Sequence, residues 1–319
     1  MNRAKLLALI FASSAAAQLL VLNKEGNVAI VDPATQKVLG KAPTGEGPHE
    51  VVATTDGKLA VASNYGTGPS PGHTLSVIDI GARKEIHRVD VAPMTRPHGL
   101  FAADGKVYFT CEGTKTIGRY DPATNRVDWI LGTGQDGTHM VMLSRGGRMI
   151  FTSNIASATI SIFEHAGNAG DWHQTVVQVG PGAEGFDITP DGKQLWAANA
   201  GDGTVSIIDI AGKKVIQTFP VNAKRSNRLK FTPDGKRALI SDITTGNLLV
   251  IDVPSRKEIK RIKIASSIAG ILVSPDGSKA YVAATSDNYV GVVDLKALAM
   301  TGKISTGKGP DGMDWAGTR

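Results

Sequence analysis

The chain has 319 residues with 37 glycines, and its 35 basic and 29 acidic residues give a net charge of +6. The many glycines and the short apolar segments between them argue against a fold built of long helices. Because no run of basic residues is interleaved with aromatic residues, we expect no nucleic-acid partner. Cys111 is the only cysteine, which excludes an intramolecular disulfide.

The N-terminus has the pattern of a secretory signal. Positive charge precedes an apolar run too short to span a membrane, Leu6–Ala12, and the small residues Ala15 and Ala17 follow it. The alternative is a buried N-terminal helix. We expect a signal peptide over residues 1–17, a single mature domain over residues 18–319, a periplasmic or secreted location and no membrane anchor.

A repeated unit organises the rest of the chain. Its clearest copy is Phe186–Ile210, in which a Pro-Asp-Gly turn and a Gly-rich turn separate three short apolar segments. An acidic residue ends the third segment of every copy at intervals of 42–47 residues: Asp32, Asp79, Asp121, Glu164, Asp209, Asp252 and Asp294. A period of this length with three or four strands per repeat is typical of β-propeller blades.

The first and last units are incomplete in a complementary way. Leu19–Thr44 supplies only three strands, and the missing innermost strand is found at the other end of the chain, in Asp311–Ala316. We therefore predict an all-β, seven-bladed β-propeller with four-stranded antiparallel blades, whose ring is closed by the N-terminal three strands plus the C-terminal strand. Such closure removes the exposed sheet edges of an open array.

Two insertions interrupt the repeat. Tyr65–His73 lies between the second and third strands of its unit, and His165–His173 lies between the third and fourth strands. In an antiparallel blade, the connections after the second and fourth strands share one face of the disc. The first insertion is therefore predicted on the face where each innermost strand begins, and the second on the opposite face.

The repeats resemble the bacterial YVTN-type β-propeller repeat family. The matching second-strand ends are Phe151–Asn154, Trp196–Asn199, the degenerate Tyr281–Ala284 and, shifted by one residue, Val21–Lys24. The resemblance covers nearly all of the mature chain and implies the propeller fold. Members of this and related seven-bladed propellers include binding proteins, metal chaperones, lactonases and lyases, so the resemblance does not select a function.

The first residue of each innermost strand is expected at the mouth of the central channel. Counting back from the turn after that strand gives one position per blade: His49, His98, His139, Glu184, Asn227, Ala269 and Asp311. Imidazoles flanked by carboxylates are ligands of divalent zinc, manganese, iron or copper. We therefore predict a metal site formed by five of these residues: His49, His98, His139, Glu184 and Asp311. The alternatives are a metal-free polar ligand site and no site at all.

Other residues are predicted to assist at the same mouth. Arg96, Asn227, His73 and Tyr65 are candidate ligand-binding residues, since arginine recognises carboxylates and phosphates and His73 lies in the insertion on this face. We therefore expect a small anionic ligand beside the metal. Glu50 follows His49, and strand alternation predicts that its side chain points away from the channel.

The sequence leaves three functions open. The first is an exported protein that binds a metal or a small anion without turnover. The second is a metal-dependent lactonase or lyase acting on an acidic sugar-like substrate, with His139 or Glu184 as the base and Arg228 or Arg96 as the substrate anchor. The third is a scaffold that binds a partner through its outer faces. A monomer and no organic cofactor are expected.

Overall fold

The computed structural model describes residues 17–167 and 170–317, and these contain 28 strands in seven four-stranded antiparallel sheets. The prediction of a seven-bladed β-propeller is confirmed. Apart from Ala17, the predicted signal peptide lies outside the described residues. Within the described ranges no helix is long and apolar enough to cross a membrane.

The strands are, in chain order, β1 Gln18–Asn23, β2 Asn27–Asp32, β3 Lys37–Pro43, β4 Pro48–Ala53, β5 Leu59–Gly66, β6 Pro71–Asp79, β7 Lys84–Asp90, β8 Pro97–Ala103, β9 Lys106–Cys111, β10 Thr116–Asp121, β11 Arg126–Gly132, β12 Thr138–Leu143, β13 Met149–Asn154, β14 Thr159–His165, β15 Trp172–Gln178, β16 Ala183–Ile188, β17 Gln194–Asn199, β18 Thr204–Asp209, β19 Lys214–Pro220, β20 Ser226–Phe231, β21 Arg237–Asp242, β22 Asn247–Asp252, β23 Lys257–Lys263, β24 Ile271–Val273, β25 Lys279–Ala284, β26 Tyr289–Asp294, β27 Ala299–Ile304 and β28 Pro310–Ala316. A 3₁₀ turn, Glu112–Thr114, follows β9.

The ring closes as the incomplete terminal units predict. Blade 1 has the strand order β28-β1-β2-β3, and β28 pairs antiparallel with β1 through Leu19 opposite Trp315 and Val21 opposite Met313. Blades 2 to 7 begin with β4, β8, β12, β16, β20 and β24. Because the two ends of the chain share one sheet, closure of the ring leaves no innermost strand unpaired.

The core lies between neighbouring blades. The second and third strands of each blade are almost fully buried, whereas the fourth strands alternate between exposed and half-buried residues. Trp196 of blade 5, for example, packs edge-on against Phe219 of the same blade and Phe231 of blade 6, with ring centroids 5.4 and 5.3 Å apart. Aromatic contacts of this kind tie each blade to the next.

A β-bulge lies near the start of most innermost strands. In blade 2, Pro48 of β4 pairs with Asn64 of β5, and Val51 pairs with Ala62. Between these two pairs β4 has one residue more than β5. The same shift occurs in β8, β12, β16 and β20. A bulge breaks the alternation of a strand and re-aims its side chains, and these bulges lie at the residues predicted to form the mouth.

Candidate functional site

The three predicted histidines lie side by side at the channel mouth. His49, His98 and His139 are the second residues of the innermost strands of blades 2, 3 and 4. The ring centroids of His49 and His98 are 5.0 Å apart, and those of His98 and His139 are 3.8 Å apart. Counting back from the turns therefore identified residues that the fold brings together.

Hydroxyl groups of the preceding blade fix the backbone of these residues. Ser63 on β5 donates to the carbonyl of His98 over 2.7 Å, and Thr110 on β9 donates to the carbonyl of His139 over 2.5 Å. Both hydroxyls are fully buried, where a hydrogen bond is strong because water does not compete. Each blade thus sets the position of the next blade's mouth residue.

Gly99 allows two of the imidazoles to approach closely. A Cβ atom on Gly99 would lie 2.7 Å from the Cα of Met140 in the next blade, which is closer than real Cβ contacts allow. With glycine at this place, β8 packs directly against the backbone of β12. The rings of His98 and His139 meet as a consequence.

Glu112, which was not among the predicted site residues, joins the histidines. Its carboxylate accepts hydrogen bonds from His139 Nδ1 and from the Tyr65 hydroxyl, the latter over 2.5 Å. Burial alone would raise the pKa of Glu112, but these two hydrogen bonds outweigh it and hold the pKa below its usual range. Glu112 is therefore a carboxylate at neutral pH.

A signal for Glu112 was present in the repeat. Glu112 directly follows β9, at the place where blades 2, 4 and 5 have Tyr65, Ile155 and Ala200. Each of these residues donates its backbone amide to the residue just before the innermost strand of its blade, so the four places correspond. A carboxylate where these blades have uncharged residues departs from the repeat and indicates a different role.

Two imidazole nitrogens at the mouth have no partner among the described residues. His98 Nδ1 and His139 Nε2 make no hydrogen bond, although the two residues are only 3% and 6% exposed. Because Glu112 accepts a hydrogen bond from His139 Nδ1, Nε2 is the nitrogen of His139 that can offer a lone pair to a ligand. Unsatisfied buried polar atoms are rare in native proteins, and an ordered water, an ion or a ligand can satisfy them.

Burial favours the neutral form of His98 and His49. Desolvation, reinforced by the neighbouring His139, lowers the pKa of His98 well below its ordinary value. Desolvation also lowers the pKa of His49 to about 4, although Asp311 opposes the shift. Neutral imidazoles are the form that coordinates metal ions.

The group that could hold a metal ion differs from the predicted set. His98, Glu112 and His139 each offer a ligand atom, and these atoms lie within 4.8 Å of one another. Of the five predicted ligands, His49 lies 3.6 Å from Asp311, which also pairs with Lys24 at 3.0 Å. Glu184 accepts a hydrogen bond from Asn227. The structure thus gathers two of the predicted ligands and adds one that was missed.

A buried ion pair crosses the channel immediately below the histidines. Arg228 in blade 6 donates to the Glu50 carboxylate in blade 2 over 2.5 Å. The expectation that Glu50 points away from the channel is wrong, because the bulge at Pro48–Val51 breaks the alternation of β4. A cavity of about 140 Å³ continues the channel behind this pair.

Arg228 is therefore not free to anchor a substrate. Burial opposes its charge, but Glu50, Asp311 and Glu184 outweigh that effect and raise the pKa of Arg228. Burial raises the pKa of Glu50 against the opposing effect of Arg228. The positive charge of Arg228 thus balances the negative charge of the carboxylates on its side of the mouth, which is a structural role.

Comparison with known proteins agrees with this architecture. The family model described as a YNCE-like beta-propeller matches residues 95–276. The chain belongs to the YNCE-like β-propeller family. The matched range contains His98, Glu112 and His139, but neither His49 nor Asp311. No curated protein matches the chain.

Solved structures similar to this YNCE-like propeller have diverse functions. Hydrazine synthase of Kuenenia stuttgartiensis is 21% identical, with 87% of this chain and 92% of that chain covered and a TM-score of 0.76. A candidate 6-phosphogluconolactonase of Bacteroides fragilis is 15% identical, with 95% and 99% covered and a TM-score of 0.78. The dihydro-heme d1 dehydrogenase NirN is 13% identical, with 94% and 75% covered and a TM-score of 0.69. At these identities the likeness shows the fold alone.

The remaining predicted residues of the YNCE-like propeller divide between the mouth and the rim. Tyr65 lines the mouth, with its ring centroid 4.8 Å from that of His49, and Arg96 stacks on Tyr65 with its guanidinium carbon 5.0 Å from the centroid. His73 is exposed and pairs with Asp90 at 2.9 Å. The structure therefore places His73 at the rim, away from the three imidazoles.

Proposed function

We propose that the channel mouth binds a divalent transition metal ion, with His98 and His139 as ligands. The observation that carries this proposal is the pair of unpartnered nitrogens, His98 Nδ1 and His139 Nε2, on buried rings whose centroids are 3.8 Å apart. Imidazole nitrogens suit zinc, copper and iron, and a carboxylate also suits manganese. The third group of the cluster, Glu112, is within reach of the same ion.

Glu112 is better suited to orient His139 than to bind the ion directly. Both of its oxygens already accept hydrogen bonds, one from His139 and one from Tyr65. Burial and the Glu112 carboxylate raise the pKa of Tyr65 to about 12, so the phenol keeps its proton and donates it to this bond. A carboxylate that holds the second nitrogen of a metal-binding histidine fixes its tautomer and raises its basicity.

A small anionic ligand completes the proposal. With few protein ligands on the ion, coordination positions remain open toward the mouth. Arg96, which stacks on Tyr65 at this mouth, supplies a positive group for a carboxylate or phosphate. The open positions also favour a second candidate function, a metal-dependent lactonase or lyase in which the ion polarises a carbonyl group. Arg228 would not be its substrate anchor, because Glu50 already occupies that guanidinium.

Metal analysis tests the proposal directly. Protein produced without a His tag is dialysed against Zn²⁺, Mn²⁺ or Cu²⁺, and the bound metal is counted by mass spectrometry. We expect one ion per wild-type chain and loss of that ion in the variant carrying His98→Gln and His139→Gln. A matched variant with the exposed His87→Gln and His173→Gln removes the same number of imidazoles and should keep the ion. Equal metal content in the two variants would disprove the site.

A turnover assay separates the two candidate functions. The metal-loaded protein is incubated with sugar lactones and uronate oligomers before and after chelation. Binding without turnover is expected for the first function. Hydrolysis or elimination that stops on chelation and returns with the metal would instead establish the second.

A further inference from the structure

The turn after each innermost strand lies on the face opposite the histidines, and in blades 5 and 6 a proline of this turn fills the space between neighbouring blades. Pro190 of blade 5 packs against the turn glycine of blade 6, and Pro233 of blade 6 packs against the turn glycine of blade 7. Their Cδ atoms lie 3.5 and 3.3 Å from where a Cβ would stand on Gly235 and Gly277. The Pro-Asp-Gly turn of the repeat therefore also seals the gap between blades.

Blade 4 lacks this seal. Its turn reads Ser144-Arg145-Gly146-Gly147-Arg148, so Arg145 stands where blade 5 has Pro190. At Gly192, the turn glycine of blade 5, no heavy atom lies within 4 Å of the place where a Cβ would stand. The same opening exists at Gly105, where the preceding blade has Thr55 in place of proline. Between blades 4 and 5 the opening is part of a groove of about 560 Å³.

The groove combines an apolar floor with positive charge. Side chains of both blades form its floor: Met142, Met149, Phe151, Ile188 and Ile210. Arg145 and Arg148 lie on the blade 4 wall, are exposed, and form no ion pair within residues 17–167 and 170–317. At the homologous turn of blade 5, Asp191 and Lys193 contribute no net charge.

The acidic groups near the groove are already engaged or lie outside it. Asp191, on the blade 5 wall, accepts hydrogen bonds from the Thr189 hydroxyl over 2.6 Å and from the Lys193 amide over 3.1 Å. Glu164 pairs with Lys213. Asp104 of blade 3 lies on the other side of the turn, next to Gly147. The two guanidinium groups therefore keep their capacity to bind carboxylates.

We propose that this groove, defined by Arg145, Arg148 and the apolar floor between blades 4 and 5, binds an acidic peptide segment of a protein partner through one apolar anchor residue. A half-open groove of this volume accommodates a large side chain, as in peptide-recognition sites that hold one anchor in a pocket. Arginine forks bind carboxylates bidentately on either side of that anchor. A nucleic acid would use the same arginines for its phosphates but has no need of the apolar floor.

Arg145→Pro is the decisive variant, because it restores the turn of the repeat. The turn is closed by a hydrogen bond from Gly147 N to Ser144 O over 2.9 Å, and Pro190 occupies the corresponding place in a turn closed from Gly192 N to Thr189 O. Proline is favoured at this turn position, so the variant should fold while sealing the groove and removing one charge. Thr55→Pro makes the same change in blade 2, where no arginine pair is present, and is the matched control.

The probe is an array of acetylated octapeptides in which one Leu, Phe or Met is flanked by Asp and Glu, each measured by fluorescence anisotropy. Control peptides carry Asn and Gln in place of Asp and Glu, or Ser in place of the apolar residue. We expect peptides with both features to bind the wild type and the Thr55→Pro variant, and to bind Arg145→Pro and Arg148→Glu at least about tenfold more weakly. Each control peptide should bind the wild type more weakly than the parent peptide by a comparable factor.

Several results would overturn the proposal. One is that no peptide distinguishes the wild type from Arg145→Pro, and another is that the Ser-substituted peptides bind as well as the apolar ones. A single-stranded oligonucleotide that binds through Arg145 and Arg148 when the peptides do not would assign the groove to nucleic acid instead. None of these results depends on whether the mouth on the other face binds a metal ion.

Discussion

The two sides of the channel mouth use equivalent positions of the repeat in different ways. On the imidazole side, formed by His49, His98 and His139, two buried nitrogens have no hydrogen-bond partner in the part of the chain that the structure describes. On the ion-paired side, Asn227 binds Glu184, and Arg228 in the next position binds Glu50 across the channel. Polar residues at the mouth are therefore not by themselves evidence of a binding site. The ion-paired side also has one buried oxygen without a hydrogen bond, Glu184 Oε2, but Arg225 lies 3.9 Å from it. The two unpartnered imidazole nitrogens distinguish the side that has room for a ligand.

The largest effect is expected from breaking the ion-paired side. In a Glu50→Ala variant, the guanidinium of Arg228 would remain buried without its closest carboxylate. Removing one partner of a buried ion pair typically costs about 3–5 kcal/mol, so the free energy of unfolding in urea should fall by this amount. Glu46→Ala removes an exposed carboxylate from the preceding connection and should change stability little.

A double variant tests whether the two charges act as a pair. Adding Arg228→Met to Glu50→Ala removes the unpaired charge, so the double variant should regain part of the lost stability. Additive losses, or a Glu50→Ala variant as stable as Glu46→Ala, would contradict the view that this pair is a structural element of the channel.

The imidazole side should affect stability mainly through pH. Burial lowers the pKa of His49 to about 4 in the folded state, whereas the unfolded value is close to 6.5. Between these values the unfolded chain binds more protons than the folded one, so the free energy of unfolding falls as the pH falls from about 6.5 to about 4. At pH values below that window, His49 has lowered the free energy of unfolding by at most about 3 kcal/mol.

Urea unfolding in EDTA at pH 7, 5.5 and 4 measures this contribution. His49→Gln should reduce the loss of stability on acidification, and it should change the stability at pH 7 less than at pH 4. The exposed His87→Gln should leave the pH dependence as in the wild type. If His49→Gln and the wild type lose stability in parallel, the imidazole of His49 is not kept neutral by burial.

The sequence predicts the fold of this protein better than its site, and the reason is the repeat. The six aspartates of the series from Asp32 to Asp294 end third strands because their carboxylates accept backbone amides of the next turn, as Asp32 does from Ala34 over 2.9 Å. Local chemistry of this kind recurs in six of the seven copies and so can be recognised without a structure. The same regular spacing located His98 and His139.

Two site residues escaped prediction because their positions depend on departures from regularity. In a regular strand, side chains alternate between the two faces, and Glu50 would point away from the channel. The bulge in β4 instead turns its side chain into the channel. Glu112 lies in the 3₁₀ turn after β9 and not on an innermost strand, so no spacing along the chain relates it to His139. Its one local signal is a carboxylate where blades 2, 4 and 5 have the uncharged residues Tyr65, Ile155 and Ala200.

Glu112 provides the smallest and most specific test of the difference between the two sides. In Glu112→Gln, the amide oxygen can still accept the His139 Nδ1 proton, but the negative charge that strengthens this bond is lost. Loss of such a supporting carboxylate typically weakens metal binding by about 10–100-fold. Calorimetric titration with Zn²⁺ should show a loss within this range. Glu184→Gln changes the same chemical group on the ion-paired side and should leave the affinity within about twofold. A loss in Glu184→Gln as large as that in Glu112→Gln would show that the whole mouth, rather than its imidazole side, holds the ion.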